Sequence, residues 1–225
     1  MSIMNTYKSE FIKLQIEKVI AALEKNNMRG FYAKDRSEAR EIAASLLCEG
    51  DTVASGGSVT LEECGIIGLL RSGKYNYLDR GVPGLSKEQA REIYIQTFSA
   101  DAFLCSANAV TLDGKLYNVD GNSNRVAALL YGPQSVIVVA GYNKIVPDIE
   151  AAAKRVKTMA APCNCLRLKS DTYCREKGIC CEADNDELGS GCNSDGRICC
   201  NYVISAKQRH KDRIKVILVG EELGY

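Results

Sequence analysis

Three groups of residues have the types and spacing that chemistry needs. The first, Ser55-Gly56-Gly57-Ser58-Val59-Thr60, follows the apolar run Thr52-Val53-Ala54 and leads into Leu61-Glu62-Glu63. Glycines let a backbone approach a ligand closely, and the free amides that open a helix favour an anion. The same residues also suit a plain strand-to-helix turn with Ser58 or Thr60 as its N-cap. They match neither the Walker A lysine loop nor the dinucleotide-binding fingerprint.

The second group follows the apolar run Ala102–Cys105 and extends from Ser106 to Arg125, with asparagines and two Asp-Gly pairs. Asp-Gly pairs close hairpins, so a simple turn is one outcome. Ligands, however, collect at the carboxyl ends of strands in open α/β sheets. Asp113, Asp120, Asn124 and Arg125 are therefore candidate site residues, the carboxylates for acid–base work and Arg125 for charge complementarity. Replacing Arg125 with alanine is expected to weaken anion binding while leaving the thermal midpoint little changed.

The third group comprises Cys163-x-Cys165, Cys174-x5-Cys180-Cys181 and Cys192-x6-Cys199-Cys200, in a stretch poor in aliphatic residues. Thiolates on a metal would supply order that such a stretch cannot draw from its own core. Free, loosely placed thiols are the alternative, since no pair has the C-x2-C spacing of common zinc and ferredoxin sites. Cys48, Cys64 and Cys105 sit in apolar surroundings, where cysteine behaves as a small hydrophobe. Of these, Cys105 is the one to test for reactivity, because it ends a strand beside a polar loop. The single histidine, His210, lies in the charged stretch Lys207–Arg213 and reads as a surface residue, not a triad member.

The elements that must position these groups follow from periodicity. Apolar spacing and end signals predict helices at about 7–25, 37–47, 60–70, 86–98, 124–130 and 147–159, with Ser86 and Gln89 forming a capping box. Between them lie short β-rich runs at 52–54, 75–78, 102–105, 135–140 and 214–219. Continuous apolar strands alternating with helices predict an α/β fold, a mostly parallel sheet flanked by helices on both faces. One domain over 1–225 is expected, with 162–201 as a cysteine-rich excursion holding eight of the eleven cysteines.

Charge and composition narrow the function classes. The 29 basic and 28 acidic side chains nearly cancel, so electrostatics makes no case for nucleic acid or a membrane surface. The longest apolar stretch, 126–142, is broken by Gly132-Pro133-Gln134-Ser135 and is too short to span a bilayer. An odd number of cysteines behind an amphipathic, signal-free N-terminus leads to the expectation of a cytoplasmic, reducing setting.

At Ser55-Gly-Gly-Ser-Val-Thr60, Asn108-Ala-Val-Thr-Leu-Asp-Gly114, Asn118-Val-Asp-Gly-Asn-Ser-Asn-Arg-Val-Ala127 and Val138-Val-Ala-Gly-Tyr-Asn-Lys-Ile-Val146, the chain resembles the lactate-utilization (LUD) domain family over almost its whole length. The resemblance implies a fold like that of the ribose-phosphate isomerase, glucosamine-phosphate deaminase and CoA-transferase group. In that group glycine-rich loops hold phosphate or carboxylate. It implies a pocket for a small anionic metabolite built from Ser55, Gly56, Gly57, Ser58, Thr60, Asn108, Gly114, Asn118, Gly121, Asn124 and Arg125, with Asp113 or Asp120 as the acid–base residue. It also implies support of L-lactate oxidation to pyruvate beside iron–sulfur or oxidoreductase subunits, and leaves room for a homo-oligomer.

Some short members of that family carry Cys-x5-Cys-x2-Cys-x6-Cys near the C-terminus. Cys174, Cys180, Cys192 and Cys199 fit it, which implies zinc or an iron–sulfur cluster there. The insertion Glu182–Gly191 lengthens the middle gap, and Cys181 and Cys200 are substitute ligands. A non-catalytic, metal-bearing accessory subunit of a redox complex is thus a competing expectation. A sugar-phosphate isomerase or CoA transferase is a third, from fold analogy alone.

Overall fold

The computed structural model describes the backbone over residues 3–225 and side chains from residue 6. The five β-rich runs all become strands of one parallel sheet. In chain order the elements are α1 (Ile3–Lys25), β1 (Arg29–Ala33), α2 (Arg36–Ser45), β2 (Thr52–Ser55), α3 (Val59–Glu63), α4 (Ile66–Leu70), β3 (Asn76–Leu78), α5 (Lys87–Gln96), β4 (Ala102–Cys105), β5 (Ala109–Thr111), β6 (Leu116–Asp120) and α6 (Asn124–Leu130). There follow β7 (Ser135–Gly141), β8 (Ile145–Val146), α7 (Ile149–Arg155), α8 (Ala161–Leu168), α9 (Tyr173–Lys177), β9 (Asn201–Ser205) and β10 (Ile214–Val219).

The six-stranded sheet has the order β1-β10-β7-β4-β2-β3, every pair parallel. Its two faces feed two cores, as alternation along a doubly covered strand requires. Val136, Val138, Ile214, Val216 and Leu218 pack against Ile12, Ile16, Val19 and Leu23 of α1 and Leu129 of α6. Ile137, Val139, Ile217 and Val219 point the other way, against Ala39 and Ala43 of α2, Leu61 of α3 and Leu70 of α4. The apolar positions of α1 recur at helical spacing, so from residue 6 on one stripe is buried and most other side chains face solvent.

A second sheet, β8-β5-β6-β9, departs from the one-sheet expectation. β5 and β6 form the hairpin that the first Asp-Gly pair allows, and β9 joins β6 antiparallel, from Asn201↔Asp120 to Ser205↔Leu116. Three-residue β5 and two-residue β8 are too short to carry a period. Gly114 turns the hairpin at φ 79°, and a Cβ there would lie 2.6 Å from the backbone of Ala22 and Leu23. Gly114 therefore serves close packing against α1.

Two helix boundaries also differ. The stretch 60–70 breaks at Gly65, with φ 67°, into α3 and α4. The helix starting at Ile149 runs on through π-helical Val156–Ala160 into α8, so Cys163 and Cys165 lie on a helix and the excursion begins after Leu168. Beyond it, cationic side chains tether the insertion. Buried Lys157 donates from Nζ to the Asn185 carbonyl (2.6 Å), the Glu187 carbonyl (3.0 Å) and Ser190 Oγ (2.7 Å). Lys154 reaches the Ala183 carbonyl and Asp184, and Arg197 the carbonyls of Gly189, Cys192 and Cys199. Charged donors satisfying carbonyls supply order here. Among the described residues no helix is long and apolar enough to cross a membrane.

Candidate functional site

The glycine loop ends β2 beside the carboxyl end of β4, the Gly56 amide donating to the Leu104 carbonyl at 2.8 Å. Ser58 caps α3, its Oγ accepting from the Leu61 amide. Ser55 faces β3 instead, where its hydroxyl meets Tyr77 Oη at 2.6 Å. The glycines leave room for arginines more than for an open cradle. A Cβ on Gly56 would lie 3.1 Å from the Arg125 stem, and one on Gly57 2.5 Å from the Arg80 guanidinium. With α3 only five residues long, its dipole is small, and the positive charge at this loop comes from side chains.

Arg125 is the hub of the polar loops. Its Nη1 donates to the Ser106 carbonyl (3.1 Å) and Asn118 Oδ1 (2.6 Å), and its Nη2 to Asn108 Oδ1 (3.2 Å) and the Val119 carbonyl (2.7 Å). Its Nε lies 3.5 Å from Asp120. The guanidinium thus clamps the end of β4 to β6 and has little left for a ligand, which corrects the expectation of a free anion-binding arginine. Asp120 is committed too: its oxygens accept from the Ser123 and Val126 amides, holding the start of α6, where Ser123 sits at φ 62°. Asn108 and Asn118 serve the clamp, although the buried Asn118 Nδ2 has no partner among the described residues.

Asp113 lies elsewhere. It is on the β5–β6 turn, paired with Lys115 at 2.6 Å and accepting from the Thr111 hydroxyl, and these bonds hold its carboxyl below the usual range. With Gly114 it packs near the end of α1, and neither lines the pocket that collects the other candidates. Asp113 therefore does not face the pocket where an acid–base residue would act, and its pairing with Lys115 and Thr111 favours the ionised form.

That pocket holds about 400 Å³ at the carboxyl ends of β2, β4 and β6, a volume suited to a small metabolite. Gly57, Ser58, Thr60, Asn108, Asp120, Gly121, Asn124 and Arg125 line it. Four cations join them that the sequence did not single out: Arg80, Lys144, Arg167 and Arg197. Arg80 donates to Tyr94 Oη, Arg167 to Asn164 and Tyr225 Oη, and Lys144 to Thr60 Oγ1 and Ser106 Oγ, all neutral partners. The signal for Lys144 was its place three residues past the longest apolar strand, where a polar side chain reaches the sheet's carboxyl edge.

The thiols do not assemble as expected. Cys174 Sγ lies 3.4 Å from Cys165 Sγ, both side chains buried. Burial, then the neighbouring Cys174 and Cys199, pushes the Cys165 thiol up, and Cys180 is raised by burial and by Cys181, Cys199 and Cys174. Cys174 and Cys199 thus act on both Cys165 and Cys180, and the Cys192 carbonyl accepts from Arg197. Among the described residues no three Cys, His, Asp or Glu side chains gather closely enough to hold a metal. The expected four-ligand set therefore does not fit zinc or a cluster as arranged. Cys105 is wholly buried, and burial pushes its thiol up to about 11, so it stays protonated and is not a reactive thiol.

The LUD domain model matches residues 16–219. Among solved structures, the chain is similar to a DUF162-family protein from Deinococcus radiodurans at 15% identity and a TM-score of 0.45, covering 94% of this chain and 98% of that one. It is also similar to eIF2B delta from Chaetomium thermophilum at 21% identity and a TM-score of 0.33, covering 61% and 53%. Ribose 5-phosphate isomerase from Plasmodium falciparum matches at 17% identity and a TM-score of 0.30, covering 50% and 52%. No curated protein matches significantly.

Proposed function

The chain belongs to the LUD domain family, and on that premise we propose that it is a lactate-utilization-related protein that binds a small carboxylate- or phosphate-bearing metabolite in this pocket. The observation that carries the proposal is the charge imbalance of the lining, five basic side chains against Asp120 alone. Asp120 is already engaged by Arg125 and α6, and neither Arg80, Lys144 nor Arg167 has a carboxylate within 4 Å among the described residues. Uncompensated cations converging in a concave site concentrate field and attract an anion. Among the described residues the pocket's one side-chain carboxylate, Asp120, is already engaged, which disfavours isomerase or CoA-transferase chemistry that needs a free one. The accessory-subunit alternative would need the thiols to converge.

Calorimetric titration at low salt with inorganic phosphate, L-lactate and pyruvate tests the proposal. At least one anion should bind, and Arg80→Ala with Arg167→Ala should weaken it more than tenfold. No heat from any of the three at millimolar concentration, or equal binding by parent and double variant, would end it.

A further inference from the structure

Lys144 is the one group in the pocket that anion attraction alone does not account for. It ends the 3-10 turn Tyr142–Lys144 after β7, and only 3% of it is exposed. Its Nζ has two hydroxyl neighbours, Thr60 Oγ1 at 2.9 Å and Ser106 Oγ at 3.0 Å. No carboxylate lies within 4 Å among the described residues. Burying an unpaired ammonium is strongly unfavourable, so interior lysines without a partner give up their proton.

The surroundings push in the same direction. Burial is the largest effect, and Arg155 from α7 and Arg125 from α6 add positive charge. Glu63 at the end of α3 and Cys64 just after it oppose them more weakly, and the amine comes down to about 7. Glu63 is itself engaged, accepting from the Gly224 amide at 2.7 Å. A large share of Lys144 is therefore free base at neutral pH. Desolvation and a neighbouring cation are the two routes by which lysine amines become nucleophiles.

We propose that Lys144 is a nucleophile that forms an imine with the aldehyde or ketone group of a small metabolite carrying a carboxylate or phosphate. The role rests on the anion-binding function proposed above, with Arg80 and Arg167 holding the charged end. The Nζ lone pair attacks the carbonyl carbon; the C–N bond forms as the C=O π pair moves onto oxygen, which takes up a proton. That first proton comes from the nitrogen, which then gives up its second proton as the hydroxyl leaves as water, so the two amine protons and the carbonyl oxygen make up the water released and C=N is left with no oxidant or reductant consumed. The Thr60 and Ser106 hydroxyls, already bonded to Nζ, are placed to relay protons between nitrogen and oxygen.

The test uses the parent protein with glyoxylate and, separately, glycolaldehyde phosphate, each with cyanoborohydride to reduce any imine to a stable amine. Intact mass and peptide mapping locate the adduct. One adduct at Lys144 is expected, formed fastest among the lysines near neutral pH and at a rate that follows its free-base fraction across pH. Exposed lysines should react only in more alkaline solution. Lys144→Arg, which keeps a cation but removes the nucleophile, should abolish the adduct. Because mapping is done on the parent, the outcome does not depend on how the variant folds. Adducts spread over exposed lysines with Lys144 unmodified, while calorimetry still shows anion binding, would overturn the nucleophile and leave the anion pocket standing. Absence of both adduct and anion binding would overturn both.

Discussion

Arg125→Ala is the substitution that separates a ligand-binding arginine from a structural one. Truncation would strip the charged donor from four oxygens, the carbonyls of Ser106 and Val119 and the Oδ1 atoms of Asn108 and Asn118, of which Asn108 Oδ1 keeps the Val119 amide at 2.9 Å. It would also leave Asp120 without its nearest cation, 3.5 Å away, and expose the space over Gly56 that the arginine stem fills. A hydrogen bond to a charged donor contributes about 1.5–3 kcal/mol taken singly. The four share one guanidinium, and pocket water will rescue part of the loss, so they do not add. Breaking one partner out of a buried charged network costs about 3–5 kcal/mol. For a chain of this size that lowers the thermal midpoint by about 6–20 °C. Denaturant unfolding followed by circular dichroism measures the loss directly. Arg125→Lys, keeping the charge but not the fork, should recover less than half of it. A loss for Arg125→Ala no larger than the about 1 kcal/mol of one ordinary hydrogen bond would refute the clamp.

Other consequences are equally direct. Lys157→Met removes three bonds to the insertion, so limited proteolysis should cut within 182–191 while the sheet's unfolding midpoint stays nearly unchanged; protection equal to the parent's would show that the tether is not needed. Maleimide labelling followed by mass spectrometry should reach the exposed Cys48, Cys181 and Cys200 first and Cys64 and Cys105 last, both of the latter having thiols pushed up to about 11; early labelling of Cys105 would contradict its burial. For Lys144, whose folded pKa of about 7 lies below the ordinary 10.5, the unfolded chain holds a proton that the folded chain lacks between those values. Raising the pH through that window should therefore stabilise the parent relative to Lys144→Met, by up to about 1.4 kcal/mol per pH unit. That advantage is lost as pH falls through 7, and a parent–variant difference independent of pH would show that the lysine stays protonated.

Much of the main sheet was legible because its strands are continuous apolar runs, and β7 and β10 bury nearly every residue on both faces. α6 begins and ends at Asn124 and Leu130 as the pattern predicts, and the Ser86–Gln89 capping box is present because both of its halves are local. β1 was not legible: Arg29-Gly30-Phe31-Tyr32-Ala33 is an edge strand, mostly half-buried, with a glycine forced by Ile20 of α1 at 2.8 Å. Of the second sheet only the local β5–β6 hairpin was legible, because β8 joins β5 from about thirty-five residues away and β9 joins β6 from more than eighty away. In the site, Arg125 and Asp120 both line the pocket, but residue type gives no sign of the clamp they form. Their partners come from separate strands, and no local pattern announces a clamp. Lys144 was missed for a similar reason, since the hydroxyls that replace its counter-ion lie 84 and 38 residues away.

The place of β10 inside the sheet has a consequence for synthesis. β1 has β10 as its single neighbour, and β7 needs β10 to cover its second edge. Roughly 190 residues separate Ala33 from Val219, which at ribosomal speeds is a wait of roughly 10–40 s. Throughout that interval the helix–strand unit α1–β1 has no sheet to join, and β7, the most apolar strand made so far, presents an open edge. The nascent chain must pass through this stage before its two halves can be zipped together by the last strand. A chain ended before Ile214 should accordingly accumulate in aggregates or with holdase chaperones, where one ended after Val219 should not.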